Sequence, residues 1–303
     1  QYVMDAANGA GAHEVVVVVG NQAEAVRDVL GSAVGYAEQS QQLGTGHALF
    51  QARELLAQRA RRVLVLCGDM PLVSADSLSR LADRHLASEA TIVVLTCTVD
   101  DPLGFGRIVR DEMGLVGRIV EEKEATEAER AIKEINTGIY CFDSEWLWPH
   151  LASLPRSSGG EFYLTDTIAM ARSEGKRVET IHCADASEAL GINNRLQLAE
   201  AETVVRRRIC ARLMLEGVTV IDPASTRVDA AVRIGMDTVI FPGTSIEGDC
   251  DIGANCRIGP NAVIRDTLVG HGSSIVSSQV EGARLAPGTW IGPFACVKSG
   301  ITR

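Results

Sequence analysis

Asp69 is the first residue in this chain whose position suggests chemistry. It stands in "RVLVLCGDMPL" (62–72), immediately after a short apolar run. A carboxylate at the carboxyl end of a buried strand sits where open α/β sheets bind their ligands. It is the oxygen type that magnesium takes when it clamps phosphates. The same aspartate would also serve as a turn residue before Met70 and Pro71.

Four further stretches offer polar groups of the right kind. "QQLGTGHA" (41–48) sets Gly44, Thr45 and Gly46 ahead of a helical pattern, either a backbone that lets a ligand approach or simply a tight turn. Upstream, the Gln39 carboxamide carries both a donor and an acceptor, the pattern that matches a uracil edge. Asn136 in "EINTGIY" is polar among strand formers, and Glu121 and Glu122 end a strand-like run. Asn193 and Asn194 in "GINNRLQL" open a long helical segment, where capping is the plain explanation.

These residues need a scaffold, and the chain spells one out. Residues 14–19, 62–67, 91–98 and 178–182 are short, β-branched and nearly continuously apolar, as expected of strands buried on both faces. Helical patterns fall at 22–31, 46–60, 76–87, 143–152 and 163–174, with Ser74 or Asp76 as N-cap of the third. The alternation predicts an α/β domain with a mostly parallel sheet. Residues 106–122 depart from it, with two strand-like halves around Asp111–Gly114 reading as a hairpin. A long connecting helix is expected over 193–216, and "RRR" at 206–208 reads as its solvated face.

Beyond that helix the pattern changes in kind. Ile234, Ile240, Ile246, Ile252, Ile258 and Ile264 recur every sixth residue, with Gly235, Gly253 and Gly259 directly after three of them. After a less regular patch, Ile291-Gly292 and Val297 resume the spacing. A hexapeptide period with one aliphatic position predicts a left-handed parallel β-helix, roughly four coils of about 18 residues over 229–303. Ending at Arg303 without a capping segment, the last coil is expected to be clipped or covered by a partner.

Composition narrows the function classes. A net charge of −10 lacks the basic face that nucleic acid requires. No apolar run approaches the length of a membrane span, and no signal-like segment opens the chain. The eight cysteines form no C-x-x-C pair or ligand-like cluster, so they read as small core hydrophobes in a reducing cytoplasm.

In order, "QSQQLGTGHA", "CGDMPL", "GFGRIVR", "GRIVEEKEAT", "EINTGIYCF", "GEFYLTD", "GINNRLQL", the hexapeptides and "IGPFA" resemble one family over essentially the whole chain. It is the bifunctional N-acetylglucosamine-1-phosphate uridylyltransferase and glucosamine-1-phosphate N-acetyltransferase family. The resemblance implies a Rossmann-like nucleotidyltransferase domain over 1–194, a linker helix over 195–216 and an incomplete acetyltransferase β-helix over 217–303. It implies a reaction in which UTP and N-acetylglucosamine 1-phosphate give UDP-N-acetylglucosamine and pyrophosphate with Mg2+, in a cytoplasmic homotrimer that supplies peptidoglycan and lipopolysaccharide synthesis. By position, Gln39, Gly44 and Thr45 would hold the uracil, and Cys67 and Gly68 would lie near the ribose. Asp69 and Asn193 would ligate magnesium, while Gly106, Glu121, Asn136 and Asn193 would line the sugar-nucleotide site.

Two departures from the family pattern qualify these expectations. The family begins with a strand and a glycine-rich loop of the type L-A-A-G-x-G-T-R-M, whose basic groups stabilise the transferring phosphoryl, and Gln1 aligns after it. Weak turnover is therefore expected of this chain, and no catalytic residue is assigned. Toward the other end Lys298 replaces a phosphate-binding arginine, keeping the charge without the bidentate fork, and acetyl transfer is not expected. The alternatives are a noncatalytic sugar-nucleotide-binding or oligomerisation fragment, and a nucleotidyltransferase for another hexose 1-phosphate or for dTTP.

Overall fold

In the computed structural model, which describes residues 1–299 and 301–302, one strand organises the first part of the chain. The elements run α1 (Tyr2–Gly9), β1 (Val16–Val19), α2 (Ala23–Leu30), β2 (Gly35–Glu38), α3 (Thr45–Gln51), α4 (Arg53–Leu56), β3 (Arg62–Val65), α5 (Ala75–Ser88) and β4 (Ile92–Thr98). There follow β5 (Gly106–Arg110), β6 (Val116–Val120), α6 (Glu127–Arg130), β7 (Glu134–Asp143), α7 (Ser144–Leu151), α8 (Asp166–Ser173), β8 (Val178–His182) and α9 (Arg195–Leu215). The organising strand is β7. β4 lies along one edge, β3 and then β5 share the other, and the main sheet runs β6-β5-β7-β4-β8 with β3 beside β7.

Most strands of this sheet run one way, as expected: β3, β4, β5 and β8 share a direction, and β7 and β6 are reversed. Because the reversed β7 lies among them, β3, β4 and β5 all pair antiparallel with it, while β4–β8 is parallel and β1 and β2 form a separate parallel pair. A continuous apolar run reports burial on both faces, so it does not mark the reversal of β7. On β4, Ile92 and Val94 pack into one core with Trp146, Leu147 and Ile168, while Val93, Leu95 and Cys97 pack into another with Ala6, Leu78 and Leu81. Helices thus cover both faces in an α/β layering.

Local signals are realised with small changes. Ser74 caps α5, its hydroxyl accepting from Ser77 N at 3.1 Å. The 46–60 helix divides at Ala52 into α3 and α4. The hairpin turns where expected, with Asp111 N donating to Leu115 O at 2.8 Å and Gly114 at φ +77°.

Among the described residues, β1 and β3 each have a ladder on one side alone, with β2 and β7 respectively. Between their other edges lies a cavity of about 1790 Å³, lined there by Val16, Val18, Val63, Leu64 and, from α2, Val26 and Val29. α2 buries none of its residues. The cavity is continuous with the site described below.

The chain divides into two compact units, Gln1–Gln197 and Leu198–Arg303. In the second, three stacks of short parallel strands form a parallel β-helix, consistent with the left-handed form that the repeat predicts. Ile240, Ile246, Ile252, Ile258 and Ile264 are all 0–1% exposed and stack inside it. Strands advance by 18 residues from Arg227 to Ser245 to Val263 and by 16 or 17 from Val263 to Gln279 to Cys296. Shortened turns therefore explain the irregular patch, through which Val269, Ile275 and Val280 continue the buried stack. Glycines mark the closest approach between coils: a Cβ on Gly253 would come within 2.6 Å of His271 N. The first coil begins ten residues before residue 229, because Thr219–Val220 already pairs with Val239–Ile240. Ile209, Cys210 and Leu213 of α9 are buried in the same core, so this part of the helix caps the β-helix.

Candidate functional site

A bulge in β7 sets the site. Val94 pairs with Tyr140 and Thr96 with Asn136, so Leu95 faces the three residues Thr137, Gly138 and Ile139. The extra residues are held by Thr137 Oγ1 donating to Leu95 O at 2.7 Å and by Gly138 adopting φ +75°. At this bulge the other edge of β7 changes partner from β3 to β5, which opens the sheet to a ligand-sized space.

Three sequence-selected residues meet there. Gly106 is the ladder partner of Asn136, and a Cβ on Gly106 would lie 3.6 Å from both Asn136 Cβ and Glu121 Oε2. Asn136 Oδ1 accepts from Gly138 N at 3.0 Å, leaving its amide NH2 as the donating end, beside the buried Tyr140 hydroxyl. Glu121, just past β6, accepts from Thr165 Oγ1 at 2.9 Å. Burial raises its pKa above the ordinary carboxylate range, with Asp166, Glu124 and Glu161 adding like-charge repulsion. Thr165 and the neighbouring Tyr140 were not singled out from the sequence. "GEFYLTD" carried no spacing signal for Thr165, and Tyr140 reads as an ordinary strand aromatic.

Asp69 and Asn193 form a second group. Ile192 N donates to Asp69 O at 2.9 Å, and a Cβ on Gly191 would touch both Asp69 Oδ2 (3.9 Å) and Asn193 Nδ2 (3.8 Å). The segment leading to them is anchored by buried Glu188, which accepts from Ser74 Oγ at 3.0 Å and Ser74 N at 3.3 Å. Of the two asparagines, Asn194 takes the capping role, its Oδ1 accepting from Gln197 N at 3.0 Å. Both Asp69 and Asn193 are exposed. Among the described residues no group of three or more His, Cys, Asp or Glu is arranged around one cation. One carboxylate and one amide oxygen still suit magnesium, which keeps waters and substrate oxygens in most of its octahedron.

The remaining predicted residues divide between cavity and scaffold. Gln39, Thr45, Cys67, Gly68, Asp69, Gly106, Glu121, Asn136 and Asn193 all line one cavity. Gly44, at φ +101°, approaches its own chain: a Cβ there would lie 2.6 Å from Phe162 O, and Phe162 N donates to Leu43 O at 2.7 Å. Thr45 Oγ1 accepts from Leu164 N at 3.0 Å, tying the loop to the segment that carries Thr165. The Cys67 thiol faces Gly138 O at 3.5 Å, and burial, with Asp69 nearby, pushes its pKa up to about 11. Lys298 belongs to the other unit, where Nζ pairs with Glu281 at 3.1 Å. It ends a row of alternating charge formed by Glu247, Arg265 and Glu281 on successive coils.

A strand-end carboxylate, an amide beside it and a polar pocket at a break in an α/β sheet define the class. A family model described as nucleotidyl transferase matches residues 1–187, and the chain belongs to that family. A second, described as bacterial transferase hexapeptide (six repeats), matches residues 231–266. Among individual proteins, the chain is similar to the bifunctional protein GlmU of Geobacillus sp. (strain WCH70), 46% identical over 299 residues, 98% of this chain and 65% of the relative. The bifunctional protein GlmU of Brevibacillus brevis is 44% identical over 301 residues, 99% of this chain and 65% of the relative. The chain thus spans about 65% of the length of these relatives.

Proposed function

We propose that this chain carries the sugar-nucleotide site of a UTP:N-acetylglucosamine-1-phosphate uridylyltransferase, which forms UDP-N-acetylglucosamine and releases pyrophosphate. The observation that carries this reading is the convergence of Gly106, Glu121 and Asn136 at the β5–β7 break. A carboxylate acceptor and an amide donor suit the hydroxyl, N–H and carbonyl groups of an acetamido sugar. Asp69 and Asn193 would hold Mg2+, which neutralises phosphate charge and orients the reacting oxygens when bound. The chain's own groups bind and orient: positioning and electrostatics supply most of the rate in phosphoryl chemistry, and no side-chain nucleophile is required.

The gap between β1 and β3 bears on how much of the reaction these residues perform. Two unpaired strand edges facing one apolar cavity suit an additional strand, and we propose that such a segment brings the groups that grip the triphosphate. That same gap favours the second reading, a sugar-nucleotide-binding module without turnover. The β-helix is proposed to assemble the chain into a trimer, in the cytoplasm. The Lys298–Glu281 pair argues against an acetyl-transfer role for Lys298 in this chain.

Pyrophosphate release from UTP and N-acetylglucosamine 1-phosphate, with and without Mg2+, tests the reading. Mg2+-dependent release that is lost when the metal is withheld supports it. Equal release with glucose 1-phosphate would move the assignment to another hexose phosphate. Saturable UDP-N-acetylglucosamine binding with no release would favour the binding module. Sedimentation equilibrium separates trimer from monomer.

A further inference from the structure

Gln39 follows β2, with its backbone N donating to Val19 O at 2.8 Å, and its side chain lines the cavity. Its Nε2 lies 3.2 Å from Gly44 O and 2.9 Å from His47 Nδ1. A backbone carbonyl only accepts, so the NH2 end of the amide must face Gly44, and the second N–H then points at His47. That contact is a hydrogen bond only if Nδ1 is an acceptor, with the proton on Nε2. The competing contact, Gln51 Nε2 to His47 Nε2, is longer at 3.3 Å, and Gln51 Nε2 has its own acceptor in His47 O at 3.0 Å. Both Gln39 donors are consumed, which leaves Oε1 as the amide atom available to a ligand.

We infer that His47 is the positioning residue that fixes the nucleobase preference of this site, by holding Gln39 with its carbonyl oxygen outward. This rests on the proposed uridylyltransferase reading. An outward oxygen accepts from a base whose N3 carries a proton, as in uracil or thymine. Facing cytosine, whose N3 carries a lone pair, it meets another acceptor. If His47 did not accept, only the longer contact to Gly44 O at 3.2 Å would oppose rotation of the amide to present its NH2, and the preference between the two pyrimidines would weaken. The His47 ring also stacks on Phe162, with centroids 6.4 Å apart, so a purely structural role must be separated from the proposed one.

Calorimetric titration with UDP and with CDP makes that separation. Wild-type chain is expected to bind UDP at least about tenfold tighter than CDP, the value of roughly one hydrogen bond to a fixed acceptor. His47→Phe keeps an aromatic ring against Phe162 and removes the acceptor, leaving Gly44 O alone to orient the amide, and should lower the ratio severalfold. His47→Asn removes the ring, supplies an acceptor oxygen at a similar distance from the backbone, and should keep most of the preference. Nitrogen-15 NMR of the wild-type histidine ring gives a readout that no variant's folding can obscure, and the proton is expected on Nε2. A preserved UDP/CDP ratio in folded His47→Phe, or an Nδ1–H tautomer, overturns the role of His47 alone. Wild-type chain that binds neither nucleotide overturns the uridylyltransferase reading with it.

Discussion

Gly106 stands opposite Asn136 across the β5–β7 ladder, and the missing side chain of the glycine is the space into which Glu121 and Asn136 look. Adding one methyl should therefore fill the sugar end of the site. Gly106→Ala places a carbon 3.1 Å from Ile119 Cγ2 and 3.6 Å from Glu121 Oε2, contacts that a small side-chain shift accommodates. The expected outcome is a folded protein whose UDP-N-acetylglucosamine affinity falls about tenfold or more. Two other glycines serve as controls: Gly68→Ala meets nothing within 4 Å, whereas Gly44→Ala drives a carbon to 2.6 Å from Phe162 O at positive φ. Thermal melts should show Gly68→Ala unchanged and Gly44→Ala clearly destabilised.

Glu121 ties affinity to pH. Its folded pKa is raised, chiefly by burial, so the native state holds the proton to a higher pH than the unfolded chain does. Stability therefore falls as pH rises from the unfolded carboxylate value to the raised folded value, and is level above it. Glu121→Gln removes this slope, so it should be relatively more stable than wild type at neutral pH than at low pH. The same change loses the charged acceptor and should weaken sugar-nucleotide binding by roughly 10- to 100-fold. Denaturant melts at several pH values check the first part, and titration the second.

Asp69 and Asn193 should act together. Asp69→Ala and Asn193→Ala are each expected to weaken Mg2+-dependent nucleotide binding while leaving binding without metal nearly unchanged. The double variant should cost less than the sum of the two, because both sides of one octahedron are removed. Titrations with and without Mg2+ give the comparison.

The β-helix makes a prediction about stability alone. Ile258 is fully buried in the stack, and Ile258→Ala should destabilise the Leu198–Arg303 unit by about 2–5 kcal/mol. Nucleotide binding should be unaffected when the variant is folded, since every site residue proposed here precedes residue 198.

What the sequence disclosed depended on whether a feature is periodic or local. The six isoleucines disclosed the β-helix because stacking repeats a single environment, and shortened coils after Ile264 hid only its continuation. Asp69 was visible because a carboxylate directly after an apolar run is conspicuous, and Asn136 because it is polar among strand formers. The reversal of β7 within the main sheet was not legible: β4 is apolar at both faces whichever way its neighbours run. Thr165 was hidden for another reason. Its partner Glu121 lies 44 residues away, and no local pattern encodes a long-range hydrogen bond. The glycines of "QQLGTGHA" were legible as special, but the close approach at Gly44 is to Phe162 of the same chain.

The most direct test of the central claim is a calorimetric titration of the chain with UDP-N-acetylglucosamine in Mg2+, set beside UDP-glucose. Saturable binding is expected, tighter for the acetamido sugar by about tenfold or more, with that preference reduced in Glu121→Gln. Equal affinity for the two sugars, or no saturable binding of either, would contradict an acetamido-sugar pocket built from Gly106, Glu121 and Asn136.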